Sequence, residues 1–233
     1  MKQVILLCST LLLLLNSCDY TSGSGNIVTE TRTVAGFSGI SVSNAIEVEI
    51  KIGPVTEVKV EADDNIIKHI VTGVSDGELS IKIKGLHNFG DAHLKVYITT
   101  PDLQTITASS SADVKVLDIV KNNKKLRFKA SSSADIDAEV DAPDVEAEAS
   151  SSASVTLRGR TKNYTAEASS SGDIKSAELL CENADVNANS SGSAAVNASV
   201  NLNAKASSSG SIEYYGEAAV KKNVNSSGSV EKK

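Results

Sequence analysis

A seven-residue unit, Ala-Ser-Ser-Ser-(Ala/Gly)-(Asp/Ser)-(Val/Ile), begins at Ala108 and returns with small variations at Ala130, Ala149, Ala168, Ala188, Ala206 and Val224. The intervals are 22, 19, 19, 20, 18 and 18 residues. Self-similarity at a period near twenty marks a solenoid, in which one repeat cannot bury its apolar side alone and must stack on its neighbours. No helical periodicity runs through this region. The pattern therefore predicts an all-β chain, a parallel β-helix (β-solenoid) with about 18–22 residues per turn. Crossovers between parallel strands are overwhelmingly right-handed, so a right-handed coil is expected.

Parity within the unit predicts which side chains face inward, because successive residues of a strand point to opposite faces. Positions one, three, five and seven carry no charge in any copy, as in Ala108, Ser110, Ala112 and Val114. Read as a continuous strand, this set faces inward. It includes a buried serine column: Ser110, Ser132, Ser151, Ser170, Ser190, Ser208 and Ser226. Such a column requires every hydroxyl to find a partner, since an unpaired buried hydroxyl costs roughly 1–3 kcal/mol. Positions two, four and six are polar and face outward, with position four always serine: Ser111, Ser133, Ser152, Ser171, Ser191, Ser209 and Ser227. Between units the alternation continues, for example Ile136, Ala138, Val140 and Ala142 against Asp135, Asp137, Glu139 and Asp141.

Upstream, residues 27–107 keep strand periodicity with larger apolar residues, such as Ile46, Val48, Ile50 and Ile52 alternating with Glu47, Glu49 and Lys51. Gly53-Pro54 and Asp76-Gly77 supply turns. The helical candidate is Asp64 to Val71, with Ile66, Ile67, Ile70 and Val71 on one side. With no linker before Ala108, this block reads as the wider head and cap of the same coil. The Ser-rich part occupies residues 108–233.

The first 17 residues form a leader, with Lys2 ahead of an apolar run from Val4 to Leu15 that is shorter than the roughly 20 residues of a membrane-spanning helix. Leu15-Asn16-Ser17-Cys18 resembles a bacterial lipobox, which implies lipidation at Cys18 and the membrane as a partner through the N-terminal lipid. An outer-membrane lipoprotein of the cell envelope is expected, facing either the periplasm or the outside. The Gly/Ser-rich residues 18–26 read as a flexible tether. Without Lys2 the formal charge moves from −6 to −7, a balance that disfavours nucleic acid as a partner. Cys8 lies in the leader and Cys18 in the lipobox, so Cys181 is left with no disulfide partner and reads as a buried small side chain.

The stretches GFSGISVSNAIEVEI, VKVEADDNIIKHI and VSDGELSIKIKG, followed by PDLQTITASSSADV, resemble in this order the bacterial family described as putative auto-transporter adhesin, head GIN domain. The resemblance covers roughly residues 25–230. It implies a β-helical, secreted or lipidated protein without an assigned activity, and it carries over no catalytic residues.

Candidate chemistry is sparse. Asp113, Asp135 and Asp173 share outward position six and are the one candidate metal row; Ser154 interrupts it, and calcium asks for six to eight oxygens. No cofactor is expected. The run Asp135 to Glu148 holds seven carboxylates and no base; it is the basis of the alternative reading, a polysaccharide-acting β-helix enzyme (hydrolase or lyase). Arg158 and Arg160 fall where they would balance that face in the stack. His87, Asp91 and His93 sit on a Gly-rich loop. What remains is the outward serine face, whose ladder of hydroxyls suits a glycan, an envelope or host-surface ligand, or an ice lattice. The leading expectation is a non-enzymatic, adhesin-like envelope protein.

Overall fold

The computed structural model describes residues 20–85 and 88–233. The head is built from β1 (Tyr20–Ser22), β2 (Ile27–Arg32), β3 (Gly39–Val42), β4 (Glu47–Ile52), β5 (Glu57–Asp63), β6 (Ile70–Ser75), β7 (Glu78–Ile83), β8 (Asn88–Gly90) and β9 (Leu94–Thr100). The repeats contribute β10 (Thr105–Ala108), β11 (Asp113–Val116), β12 (Val120–Lys121), β13 (Leu126–Ala130), β14 (Asp135–Ser150), β15 (Ser154–Ser169), β16 (Asp173–Ala188), β17 (Ser193–Ala206), β18 (Ser211–Tyr215), β19 (Ala219–Val224) and β20 (Ser229–Lys232). All pairings from β10 to β20 are parallel, one coil on the next, as the repeat requires.

Register carries the repeat directly into the core. Val42, Ala108, Ala130, Ala149, Ala168, Ala188, Ala206 and Val224 stack in one column, each paired with the next. Position seven makes a second column, Val48, Val114, Ile136, Val155, Ile174, Ala194, Ile212 and Val230. Both columns are buried from the first coil through Ile212. Tyr164, Leu126 and Leu157 fill the interior where the small residues leave room. The far bend of the coil relies on Gly159, at φ +107, where a Cβ would stand 2.1 Å from the Val140 carbonyl oxygen. Only a residue without a Cβ can take that backbone at that distance.

The head is continuous with the coil and ends it. β3 and β4 lie in register beneath β10 and β11, and β7 and β9 lie beneath β3 and β4, all parallel. Beyond them β5 runs antiparallel to β9, β2 antiparallel to β5, and β6 antiparallel to β7. Antiparallel strands close the stack at this pole and use up its open edge.

Two expectations are corrected here. The helical candidate Asp64–Val71 contains only a 3₁₀ turn, Ile67–His69, and Ile70 already begins β6. Three or four residues cannot repay helix nucleation, and Ile66, Ile67 and Ile70 are buried by the sheet instead. The Gly/Ser-rich stretch read as a tether is also in place from Tyr20 onward. β1 pairs in parallel with β8, Gly25 N donates to Asp63 Oδ1 (2.7 Å), and Asn26 Nδ2 to Asp64 Oδ2 (2.8 Å). Its polar groups find fixed acceptors in the Asp63–Asn65 turn, which outweighs the flexibility that its composition suggests.

Candidate functional surface

The serine unit is a turn, and this overturns the inward serine column. Positions three and four both have positive φ in all seven copies, from Ser110 (54°) and Ser111 (62°) to Ser226 (48°) and Ser227 (62°). In every copy the amide of position five donates to the carbonyl of position two at 2.8–3.3 Å, closing a two-residue turn of the primed type. The pair projects outward, so positions one and five both point inward and strict alternation is broken. Ser110, Ser132, Ser151, Ser170, Ser190, Ser208 and Ser226 are all exposed. The physical reason is the cost avoided: a strand would have driven seven hydroxyls into an interior lined by alanine, with no acceptor to meet them.

Left-handed backbone costs a non-glycine residue about 1–2 kcal/mol, and the stack supplies the compensation. The amide of Ser111 donates to Ser132 O, Ser133 to Ser151 O, Ser152 to Ser170 O, Ser171 to Ser190 O, Ser191 to Ser208 O and Ser209 to Ser226 O, at 3.0–3.2 Å. The ladder thus runs unbroken around the turn. Sequence reasoning missed a related bend at the head: Asn44 (φ 71°) and Ala45 (φ 53°) take the same left-handed backbone and join the same ladder, with Ala45 N donating to Ser110 O at 2.8 Å. The sign available in the sequence was Val42-Ser43-Asn44-Ala45-Ile46-Glu47-Val48, which keeps the unit's pattern with larger core residues. Ser111, Ser133, Ser152, Ser171, Ser191, Ser209 and Ser227 all lie exposed along this one edge.

The acidic row is brought together in part. Glu47, Asp113 and Asp135 are in-register neighbours, followed by Ser154, Asp173 and Ser193. Burial, with the charges of Asp135 and Glu47, raises the Asp113 carboxyl above the usual carboxylate range. Asp173 instead accepts from Ser193 Oγ at 2.6 Å. Among the described residues no three His, Cys, Asp or Glu side chains converge on a point that could hold a metal.

Four of the seven carboxylates of Asp135–Glu148 form ion pairs across coils. Arg158 grips Asp137 with two nitrogens (2.5 and 3.2 Å), Arg160 grips Asp141 (3.0 and 2.7 Å), Lys125 and Arg127 meet Glu146, and Lys129 meets Glu148 (2.6 Å). Arg160 holds the Asp141 carboxyl below the usual range, and Lys125 does so for Glu146. Groups kept ionised in this way are poor general acids. Beside them runs an amide ladder that sequence reasoning overlooked. Asn163 Nδ2 donates to Asp144 Oδ1 (2.9 Å), Asn183 Nδ2 to Asn163 Oδ1 (3.2 Å) and Asn201 Nδ2 to Asn183 Oδ1 (2.8 Å). Its signal was spacing: 19, 20 and 18 residues, the interval of the repeat.

His93 pairs through Nε2 with Glu61 Oε1 (2.8 Å), away from any shared site with Asp91, while His87 lies outside the described residues. Cys181 is buried, its thiol donates to Asn197 O (3.1 Å), and burial pushes its pKa up to about 12. It is an inert core side chain at neutral pH.

The sequence pattern of one family, putative auto-transporter adhesin, head GIN domain, matches residues 36–218. The chain belongs to that family. Solved structures share the fold. A putative adhesin from Bacteroides fragilis is 19% identical, with a TM-score of 0.83 over 91% of this chain and 98% of that one. A putative adhesin from Parabacteroides distasonis is 24% identical, TM-score 0.74, over 92% and 100%. A protein from the same species described as a putative lipid binding protein is 19% identical, TM-score 0.70, over 92% and 100%. No curated protein matches the chain.

Proposed function

We propose that this member of the family is a non-enzymatic lipoprotein of the cell envelope that presents the serine edge of its solenoid for adhesion or envelope contact. The observation that carries the reading is that edge: two exposed serines per coil over seven coils, held rigid by the backbone ladder. The acidic face is largely neutralised by its own Arg and Lys partners, and the thiol is buried, so neither offers comparable free chemistry. The lipobox at Cys18 supports an outer-membrane location through an N-terminal lipid, and the family description supports an extracytoplasmic adhesive role. A glycan or another polar envelope or host surface is the ligand class that matches a row of hydroxyls.

Two measurements test this reading. A Cys18→Ala variant should lose labelled acyl chains and leave the membrane fraction; retention of both overturns the anchor. Binding of intact cells to glycan-coated surfaces should fall when Ser152, Ser171 and Ser191 are replaced together by Gly, which keeps the turn; unchanged binding overturns the role of the edge.

A further inference from the structure

The N-terminal segment is strapped to the head, and this limits how far the protein can stand from a membrane that holds its lipid. β1 pairs with β8 from Tyr20 to Ser22. Asn65 Nδ2 donates to Ser22 O (3.0 Å), Ser24 N to Asn65 Oδ1 (3.2 Å), and Ser24 Oγ to Asp64 Oδ1 (2.6 Å). The buried Asp63 carboxylate ties two parts of the chain, accepting from Gly25 N (2.7 Å) and His93 N (2.8 Å). A side chain at Gly23 would collide with it, its Cβ 2.4 Å from Asp63 Oδ2. The segment is therefore fitted to this turn.

A chain spans at most about 3.6 Å per residue. Cys18 is two residues from Tyr20 and four from Ser22, a reach of about 7 and 14 Å respectively, where an undocked stretch from Cys18 to Asn26 would reach about 29 Å. β7 and β9 belong to the coil at the capped pole, and β8, in the connection between them, pairs with β1 in a separate two-stranded sheet. Eight strand spacings separate this coil from the turn at Ser226-Ser227, about 38 Å at 4.8 Å each.

We propose that the partner of this pole is the lipid bilayer itself: the strap seats the capped end of the solenoid on the membrane, and the coils, not a tether, carry the serine edge away from it. This rests on lipidation of Cys18. This end of the chain carries both signs of charge, with Lys68, Lys84, Asp64 and Asp91 all exposed, so the short leash rather than headgroup attraction sets the position.

The test uses the full lipidated protein in vesicles of phosphatidylethanolamine and phosphatidylglycerol, with a donor dye at Lys84→Cys or at Ser227→Cys and an acceptor dye in the bilayer surface. Energy transfer should be at least twofold stronger from position 84 than from 227, in low and high salt alike. A 15-residue Gly/Ser insertion between Asp19 and Tyr20, which leaves the strap intact, should abolish most of the difference. Equal transfer from both positions in the native chain, with the vesicles still bound, overturns the seat and leaves the anchor standing. Failure to bind vesicles overturns both. Amide exchange at Ser24 and Gly25 reads the strap independently of lipid: protection is expected, and free exchange overturns it.

Discussion

Gly192→Ala probes the closeness of the coils where the turns are tightest. The unit carries Ala at position five in its first three copies and Gly in the last four. The turn-closing bond follows that choice: 3.2–3.3 Å at Ala112, Ala134 and Ala153, but 2.8–3.0 Å at Gly172, Gly192, Gly210 and Gly228. A Cβ on Gly192 would stand 2.5 Å from the Ala168 carbonyl carbon and oxygen and 2.7 Å from Ser169 N. That is about 1 Å inside comfortable carbon contact, and the obstacle is backbone that is itself bonded, with Asn189 N donating to Ala168 O at 2.9 Å. Overpacking of this kind costs about 1–3 kcal/mol, partly offset by the roughly 0.4–1 kcal/mol that Gly→Ala gains by restricting the unfolded chain. A net loss of about 1–2 kcal/mol is expected. With an m-value near 2 kcal/mol/M in urea, the midpoint followed by far-UV circular dichroism should fall by about 0.5–1 M. In a stack with nearest-neighbour coupling the extra amide exchange should centre on the coils that share the contact. A midpoint unchanged or raised would refute the close approach and make this an ordinary extended glycine.

Asp113→Asn should stabilise the protein at neutral pH by a few tenths of a kcal/mol. The sign follows from the raised carboxyl: an acid whose folded pKa lies above its unfolded one costs stability while ionised, and that cost disappears as pH falls below the unfolded value, so the gain should vanish near pH 3. Thermal melts at pH 7 and pH 3 read both. Asn183→Ala removes two side-chain amide bonds in the middle of the ladder and, with its site partly exposed, should cost about 1 kcal/mol in urea titration, whereas a variant at the exposed Asn123, off the ladder, should cost almost nothing. Ser171→Val places a β-branched residue at φ 62° and should lose about 1–3 kcal/mol, while Ser171→Gly should be close to neutral. Equal stability of the two variants would argue against the left-handed turn.

The coil itself was legible because its cause is local and repeated. A charge-free set at positions one, five and seven can only be the inside of a stack, and spacing put Arg160 opposite Asp141, whereas Arg158, opposite Glu139, reaches diagonally to Asp137. The turn was hidden because Ser is not a usual left-handed residue. Asp76-Gly77 announces the hairpin between β6 and β7 by composition, whereas Ser110-Ser111 adopts the same backbone only because each turn is bonded to the next. Parity over seven residues could not reveal a two-residue excursion that returns position five to the same side as position one. The strap was obscured in a similar way: nothing in Tyr20–Asn26 distinguishes a tether from a docked segment until the acceptors at Asp63, Asp64 and Asn65 are in place.

The outward serine pair is most directly tested by cysteine accessibility in the folded protein. Ser170→Cys and Ser171→Cys should both react with a maleimide within a few-fold of a free thiol, whereas Ala168→Cys and the native Cys181 should stay protected. Protection of Ser170→Cys beside a reactive Ser171→Cys would restore the alternating strand and contradict the stacked left-handed turn.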